Sequence, residues 1–90
     1  MHTILGGKRW KLRDVKSLPK GWLGECRYDT REVMMPLEGD TESEMNVIVH
    51  ETIHASAPYL EEDAVEALAT DIVKILWKLN WRRQYEKEQE

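Results

Sequence analysis

Hydrophobic and polar residues follow a short, strand-like period in the first forty positions of the chain. In residues 8–15 apolar side chains recur about every second position, which predicts a β-strand with one buried face. Two further short apolar runs, residues 22–28 and 32–37, predict two more strands, with a turn at residues 28–30 where Asp29 can bond to its own backbone. Residues 1–40 therefore favour a small antiparallel sheet of about three strands.

The pattern becomes helical after residue 40. Residues 41–80 contain no glycine and a single proline, Pro58. Thr41 and Glu44 have the spacing of a capping box, and Ser43 is an alternative cap a little later. We expect the first helix to run to about residue 57, because a proline disfavours helical conformation in the residue before it.

A second helix is predicted from about Glu61 to Leu79. Its first turn is acidic, which suits the positive end of the helix dipole. Its apolar positions have helical spacing and predict one buried stripe: Val65, Leu68, Ala69, Ile72, Leu76 and Leu79. A short turn near Tyr59 makes the two helices antiparallel neighbours. The expected fold class is α+β, with the antiparallel sheet packed on two antiparallel helices.

Length and composition limit the organisation and the partners. The 90 residues fit one domain, 1–90, made of a sheet half (1–40), a helical half (41–80) and a polar tail (84–90). The net charge of −4 disfavours nucleic acid as a partner. The basic clusters, at residues 8–13 and at Arg82 and Arg83, are interpreted as solvated surface.

Lys74 and Lys78 interrupt the longest apolar stretch, so no membrane span is predicted. A single cysteine, Cys26, excludes an internal disulfide and favours a cytoplasmic location.

The chemically informative segment is His50-Glu51-Thr52-Ile53-His54. On a helix, two histidines four residues apart lie on the same face, where each can give one ring nitrogen to a tetrahedral zinc ion. Glu51 is rotated about 100° from His50 around the helix axis. That position suits a general base acting on a water beside the metal rather than a third ligand.

A zinc site of this kind needs a third protein ligand and keeps one position open. The acidic candidates on the second helix are Glu61, Glu62, Glu66 and Asp71. In a symmetric hairpin centred on Tyr59, Glu66 lies level with the midpoint of the two histidines. We therefore predict Glu66 as the ligand. Glu62, one turn earlier, is the alternative ligand or a hydrogen-bond acceptor for a histidine N–H.

The motif, with a glutamate on the following helix, resembles the zincin metallopeptidases and in particular their glutamate-ligand branch, the gluzincins. Across about residues 20–82 the chain is similar to small metallopeptidase-like proteins of bacteriophage genomes. The resemblance implies zinc bound by His50, His54 and Glu66, with Glu51 as general base in peptide hydrolysis. It also implies a peptide or protein substrate held in extended form against an edge strand.

Two details of the implied site stay at the level of prediction. The strand at residues 32–37 is the expected edge strand against which the substrate lies, and Tyr28 and Tyr59 are candidate hydrogen-bond donors to the oxyanion.

Two alternative functions are a zincin-fold module that acts through protein contacts and a metal-free interaction domain. The presence of Glu51 favours the enzyme, because a structural metal site does not need a general base. The sequence specifies no oligomeric state.

Overall fold

The computed structural model describes residues 1–17 and 21–81. Its elements, in chain order, are the strands β1 (His2–Leu5), β2 (Lys8–Asp14), β3 (Glu25–Arg27) and β4 (Glu32–Met35) and the helices α1 (Glu42–Ser56) and α2 (Glu62–Lys78). A single 3-10 turn, Val15–Ser17, follows β2. The α+β class is confirmed. The predicted tail at 84–90 and the pair Arg82 and Arg83 lie outside the described residues.

The sheet has four strands in the order β1-β2-β4-β3, so the predicted number of about three strands is wrong, while most of the pairings are antiparallel as expected. β1 pairs antiparallel with β2, and β3 with β4, but β2 and β4 are parallel. The strand missed by the sequence pattern is β1. Gly6 and Gly7, which join it to β2, have positive φ angles of 59° and 80° and form the tight hairpin turn that such angles permit.

The expected edge strand is also corrected by this order. β4, which covers most of the 32–37 segment, is an interior strand between β2 and β3. Its Val33 and Met35 belong to the main buried cluster together with Trp10 and Ala55. In the described chain the sheet edges are β1 and β3. Both edge strands contact α1, and β3 is the one that follows Gly24, which lies against Glu51 of that helix.

Helix α1 begins where its capping residues predict. The side chain of Thr41 accepts a hydrogen bond from the backbone N–H of Glu44 (3.1 Å), so Thr41 rather than Ser43 is the N-cap. The Glu44 carboxylate in turn accepts from the backbone N–H of Asp40 (3.0 Å), which lowers the pKa of Glu44. The helix ends at Ser56, one residue before Ala57 and two before Pro58, as expected.

The two helices form successive layers on the sheet. α1 contacts β1, β3 and β4 on one side and α2 on the other, whereas the main packing partner of α2 among the described elements is α1. The helices are antiparallel: Glu62, at the start of α2, contacts His54 near the end of α1, and Thr70 shares a groove with Ser43. No helix in the described residues is long and apolar enough to cross a membrane.

The predicted apolar stripe of α2 is only partly buried. Of its predicted members, Val65 and Ala69 are buried and Leu76 is half-buried, and Val73, which was not predicted, is buried as well. The side chains of Leu68, Ile72 and Leu79, which the pattern also placed in the stripe, are exposed by 42–64%. Among the described residues α2 has one neighbouring layer, so the arc of the helix that they bury is narrower than its apolar arc.

Candidate metal centre

His50 and His54 lie one turn apart on α1 and direct the same ring nitrogen, Nε2, toward one point. The two Nε2 atoms are 3.2 Å apart. Both side chains are mostly buried, with exposed fractions of 16% and 18%. The (i, i+4) spacing on a helix produces this convergence, as the sequence predicted.

The carboxylate that meets these nitrogens is that of Glu62, the first residue of α2. One of its oxygens is 2.8 Å from Nε2 of His54, and the other is 3.1 Å from Nε2 of His50. Within the described residues, His50, His54 and Glu62 are the only set of three potential metal ligands whose donor atoms cluster in this way. The structure thus brings together the two predicted histidines and the alternative carboxylate.

Glu66, the predicted third ligand, is not part of this group. It lies one turn further along α2 and lines a groove with Asn46 and Asp63. The prediction assumed a symmetric turn centred on Tyr59. Instead the backbone is non-helical at both ends of the connection, at Ala57 (φ −135°, ψ 70°) and at Glu61, which is extended (φ −78°, ψ 160°). Helix α2 therefore begins one turn out of that register.

The spacing of the three donor groups fits a tetrahedral zinc ion. Zinc bonds of about 2.0–2.2 Å at tetrahedral angles place neighbouring ligand atoms about 3.3 Å from each other. The separation of the two Nε2 atoms, 3.2 Å, is close to that value. Nε2 of His54 and Nε2 of His50 lie 2.8 and 3.1 Å from different oxygens of Glu62, and one donor atom from each of the three residues lies within 4.8 Å of the others. Two imidazoles and one carboxylate are also the donor set of catalytic zinc sites that keep a fourth position for water. The residues present therefore fit zinc.

Tyr28 supports the imidazole of His54 from the other side. Its hydroxyl donates to the backbone carbonyl of His54 (3.2 Å) and lies 3.5 Å from Nδ1 of the same residue. A histidine that binds a metal through Nε2 carries its proton on Nδ1, where a neighbouring oxygen can accept it and fix the orientation of the ring. This hydroxyl is thus on the side of the ring away from the ligand cluster. Tyr59, the other predicted oxyanion donor, is 82% exposed.

Glu51 occupies the space between α1 and the start of β3. Burial raises the pKa of Glu51, and nearby His50 and His54 act in the opposite direction. Gly24, just before β3, makes room for it: a Cβ atom at Gly24 would come within 3.1 Å of Cγ of Glu51 and 2.8 Å of a methyl of Val47. The fold thus keeps the predicted general base half-buried beside the histidines.

Cys26, on β3, also lies near Glu51. Burial, together with the negative charge of Glu51, raises the pKa of Cys26 to about 11. At neutral pH the side chain is accordingly a protonated thiol, and it is the thiolate that acts as a nucleophile or a metal ligand. Cys26 packs against the main buried cluster, so it is a packing residue of β3.

Comparison of the chain with models of protein families, with curated proteins and with solved structures found no match. The functional interpretation therefore depends on the geometry of the site itself.

Proposed function

We propose that this protein is a zinc-dependent peptidase whose metal ligands are His50, His54 and Glu62, with Glu51 as general base. The observation that carries the proposal is the convergence of the two Nε2 atoms, 3.2 Å apart, on the carboxylate of Glu62, which lies within 2.8 and 3.1 Å of them. A structural metal site would not require a half-buried glutamate next to its histidines, whereas hydrolysis does.

Each residue has a defined task in this proposal. Zinc, when bound, supplies a Lewis acid that lowers the pKa of a bound water to about 7 and polarises a carbonyl. Glu51 accepts the proton of the attacking water and returns it to the leaving amine nitrogen. The burial that raises the pKa of Glu51 makes it a stronger base than an exposed glutamate. Tyr28 orients His54 through the Nδ1 side of its ring.

The substrate class follows from the position of β3. This strand is an edge of the sheet, and the segment that leads into it packs on Glu51 through Gly24. An extended peptide can add to such an edge through main-chain hydrogen bonds, which places its scissile bond near the general base without demanding a particular side chain. We therefore propose a peptide or protein segment in extended form as the substrate.

The first test is the metal content of the protein purified without added metal. We expect about one zinc ion per chain by elemental analysis, because three protein ligands make a catalytic zinc site. A protein that has no zinc and binds none on titration would contradict the proposal and would favour the metal-free interaction domain.

The second test separates the enzyme from a zinc-binding module. Glu51→Gln should keep zinc and slow cleavage of a mixed peptide library by about 10²–10⁴-fold, the usual contribution of a general base. Glu42→Gln, on the exposed first turn of the same helix, is the matched control and should cleave like the native protein. Zinc binding with no cleavage by the native chain would support the protein-binding module instead.

A further inference from the structure

Four exposed apolar side chains form a continuous row along α2. Leu68, Ile72, Ile75 and Leu79 are exposed by 44%, 42%, 56% and 64%. We call these four residues the apolar seam. The seam is distinct from the groove side of the helix, because Ile72 is about 200° around the axis from Thr70, which lines the groove with Asn46. The seam and the groove therefore lie on opposite sides of α2.

The spacing of the seam is that of a coiled coil. Its residues are separated by four, three and four positions, which is the d-a-d-a order of two heptads. Val65, Ala69 and Val73 are the part of the apolar arc of α2 that is buried. The seam is the exposed remainder of that arc, and its repeat suits a partner helix.

The charges beside the seam identify that partner. With Leu68 and Ile75 at d positions, Asp71 and Lys78 both occupy g positions, which flank a coiled-coil interface and set its partner and orientation. In an antiparallel pair of identical helices, g faces g across the seam. Asp71 of each chain would then meet Lys78 of the other, and both ion pairs would form by symmetry. In a parallel pair Asp71 would instead face the apolar Leu76.

We propose that the apolar seam binds a second copy of this chain, with the two α2 helices antiparallel around a two-fold axis. The core layers of this interface are Leu68 against Leu79 of the other copy and Ile72 against Ile75 of the other copy. Such a surface is self-complementary, as a two-fold interface requires. With only four layers it is a small interface, so we expect a reversible dimer of micromolar dissociation constant.

Sedimentation velocity of the full chain, from dilute protein up to about 0.5 mM, should show a monomer–dimer equilibrium. Ile75→Glu should raise the dissociation constant by about tenfold or more, because the symmetric dimer carries the change twice. Ile4→Glu is the matched control: Ile4 is 64% exposed on β1, and its replacement should leave the equilibrium unchanged. Circular dichroism and thermal unfolding verify that each variant folds.

A charge exchange tests the identity and the orientation of the partner. Asp71→Lys alone places two lysines together at each end of the antiparallel seam and should weaken the dimer. The double variant Asp71→Lys/Lys78→Asp restores both ion pairs and should recover native affinity. A dimer that is insensitive to both changes would contradict the antiparallel arrangement. A chain that is monomeric at every concentration would overturn the proposal and assign the seam to a different protein.

Discussion

Replacing Glu62 by glutamine is the sharpest test of the ligand set, because the structure and the sequence pattern choose different carboxylates. The substitution keeps the size of the side chain and removes its charge. In the structure the two oxygens of Glu62 are 2.8 and 3.1 Å from the Nε2 atoms of His54 and His50. The matched variant is Glu66→Gln, one turn later on the same helix, whose side chain lines a neighbouring groove.

The expected magnitude follows from the number of ligands. Structural zinc sites with four ligands have apparent binding free energies of about 10–16 kcal/mol, or about 2.5–4 kcal/mol for each ligand. At about 1.4 kcal/mol for each factor of ten, loss of the Glu62 carboxylate should weaken zinc binding by about 10²–10³-fold. Glu66→Gln should change the affinity by less than about twofold, because no donor atom of the cluster belongs to Glu66.

Competition with a chromophoric chelator measures the zinc dissociation constant of each variant directly. Thermal or urea unfolding provides an independent readout. At a zinc concentration about 1,000 times the native dissociation constant, bound zinc adds about 4.1 kcal/mol to the free energy of unfolding. A hundredfold weaker variant would gain only about 1.4 kcal/mol under the same conditions.

Unfolding must also be measured without zinc, because Glu62 interacts with both histidines in the absence of metal. Glu62 is 59% exposed, so loss of these contacts alone should cost no more than about 1 kcal/mol. The reasoning is refuted if Glu62→Gln binds zinc like the native chain, or if Glu66→Gln loses as much affinity as Glu62→Gln.

Three further predictions concern the elements that hold the site in place. Thr41→Ala should lower the free energy of unfolding in urea by about 1 kcal/mol, since it removes the N-cap hydrogen bond of α1, while Ser43→Ala should change it by less than half as much. Cys26 should react with iodoacetamide at pH 9 about 50-fold more slowly than an unfolded cysteine of pKa 9.0, because its own pKa of about 11 leaves about 1% of the side chain as thiolate. Mass spectrometry of the native and the urea-unfolded protein measures the two rates, and equal rates would contradict the prediction. Gly24→Ala should destabilise the fold by about 1–3 kcal/mol in the same urea assay, because its Cβ crowds the side chain of Glu51; unchanged stability would show that this contact relaxes freely.

Local signals predicted the helical half closely. The cap at Thr41 and the break at Pro58 set the ends of α1, and both are effects within one turn of the chain. The spacing of His50 and His54 is also local, so their convergence on one point follows from helix geometry alone. The position of these two ring nitrogens could therefore be predicted from the helix alone, without the rest of the fold.

The sheet was predicted less well, because its pairing joins segments that are distant in sequence. Three strands were located by their apolar runs, but the parallel pairing of β2 with β4 places β4 in the interior of the sheet. The only local signal that was missed is Gly6-Gly7, a two-residue turn that indicates a hairpin and hence β1. β3 is an edge strand near the candidate metal centre because of the strand order, which the local sequence pattern does not give.

The α+β class, the ends of the helices, the pair of histidines and the adjacent Glu51 could all be predicted from the order of the residues. All of these depend on residues within about one helical turn or one strand of each other. The contact of Glu62, rather than Glu66, with the histidines became visible in the fold alone, as did the exposure of the apolar seam among the described residues. Both outcomes depend on how α2 leaves the turn after Pro58 and on which layers cover it, and these are set by the packing of whole elements.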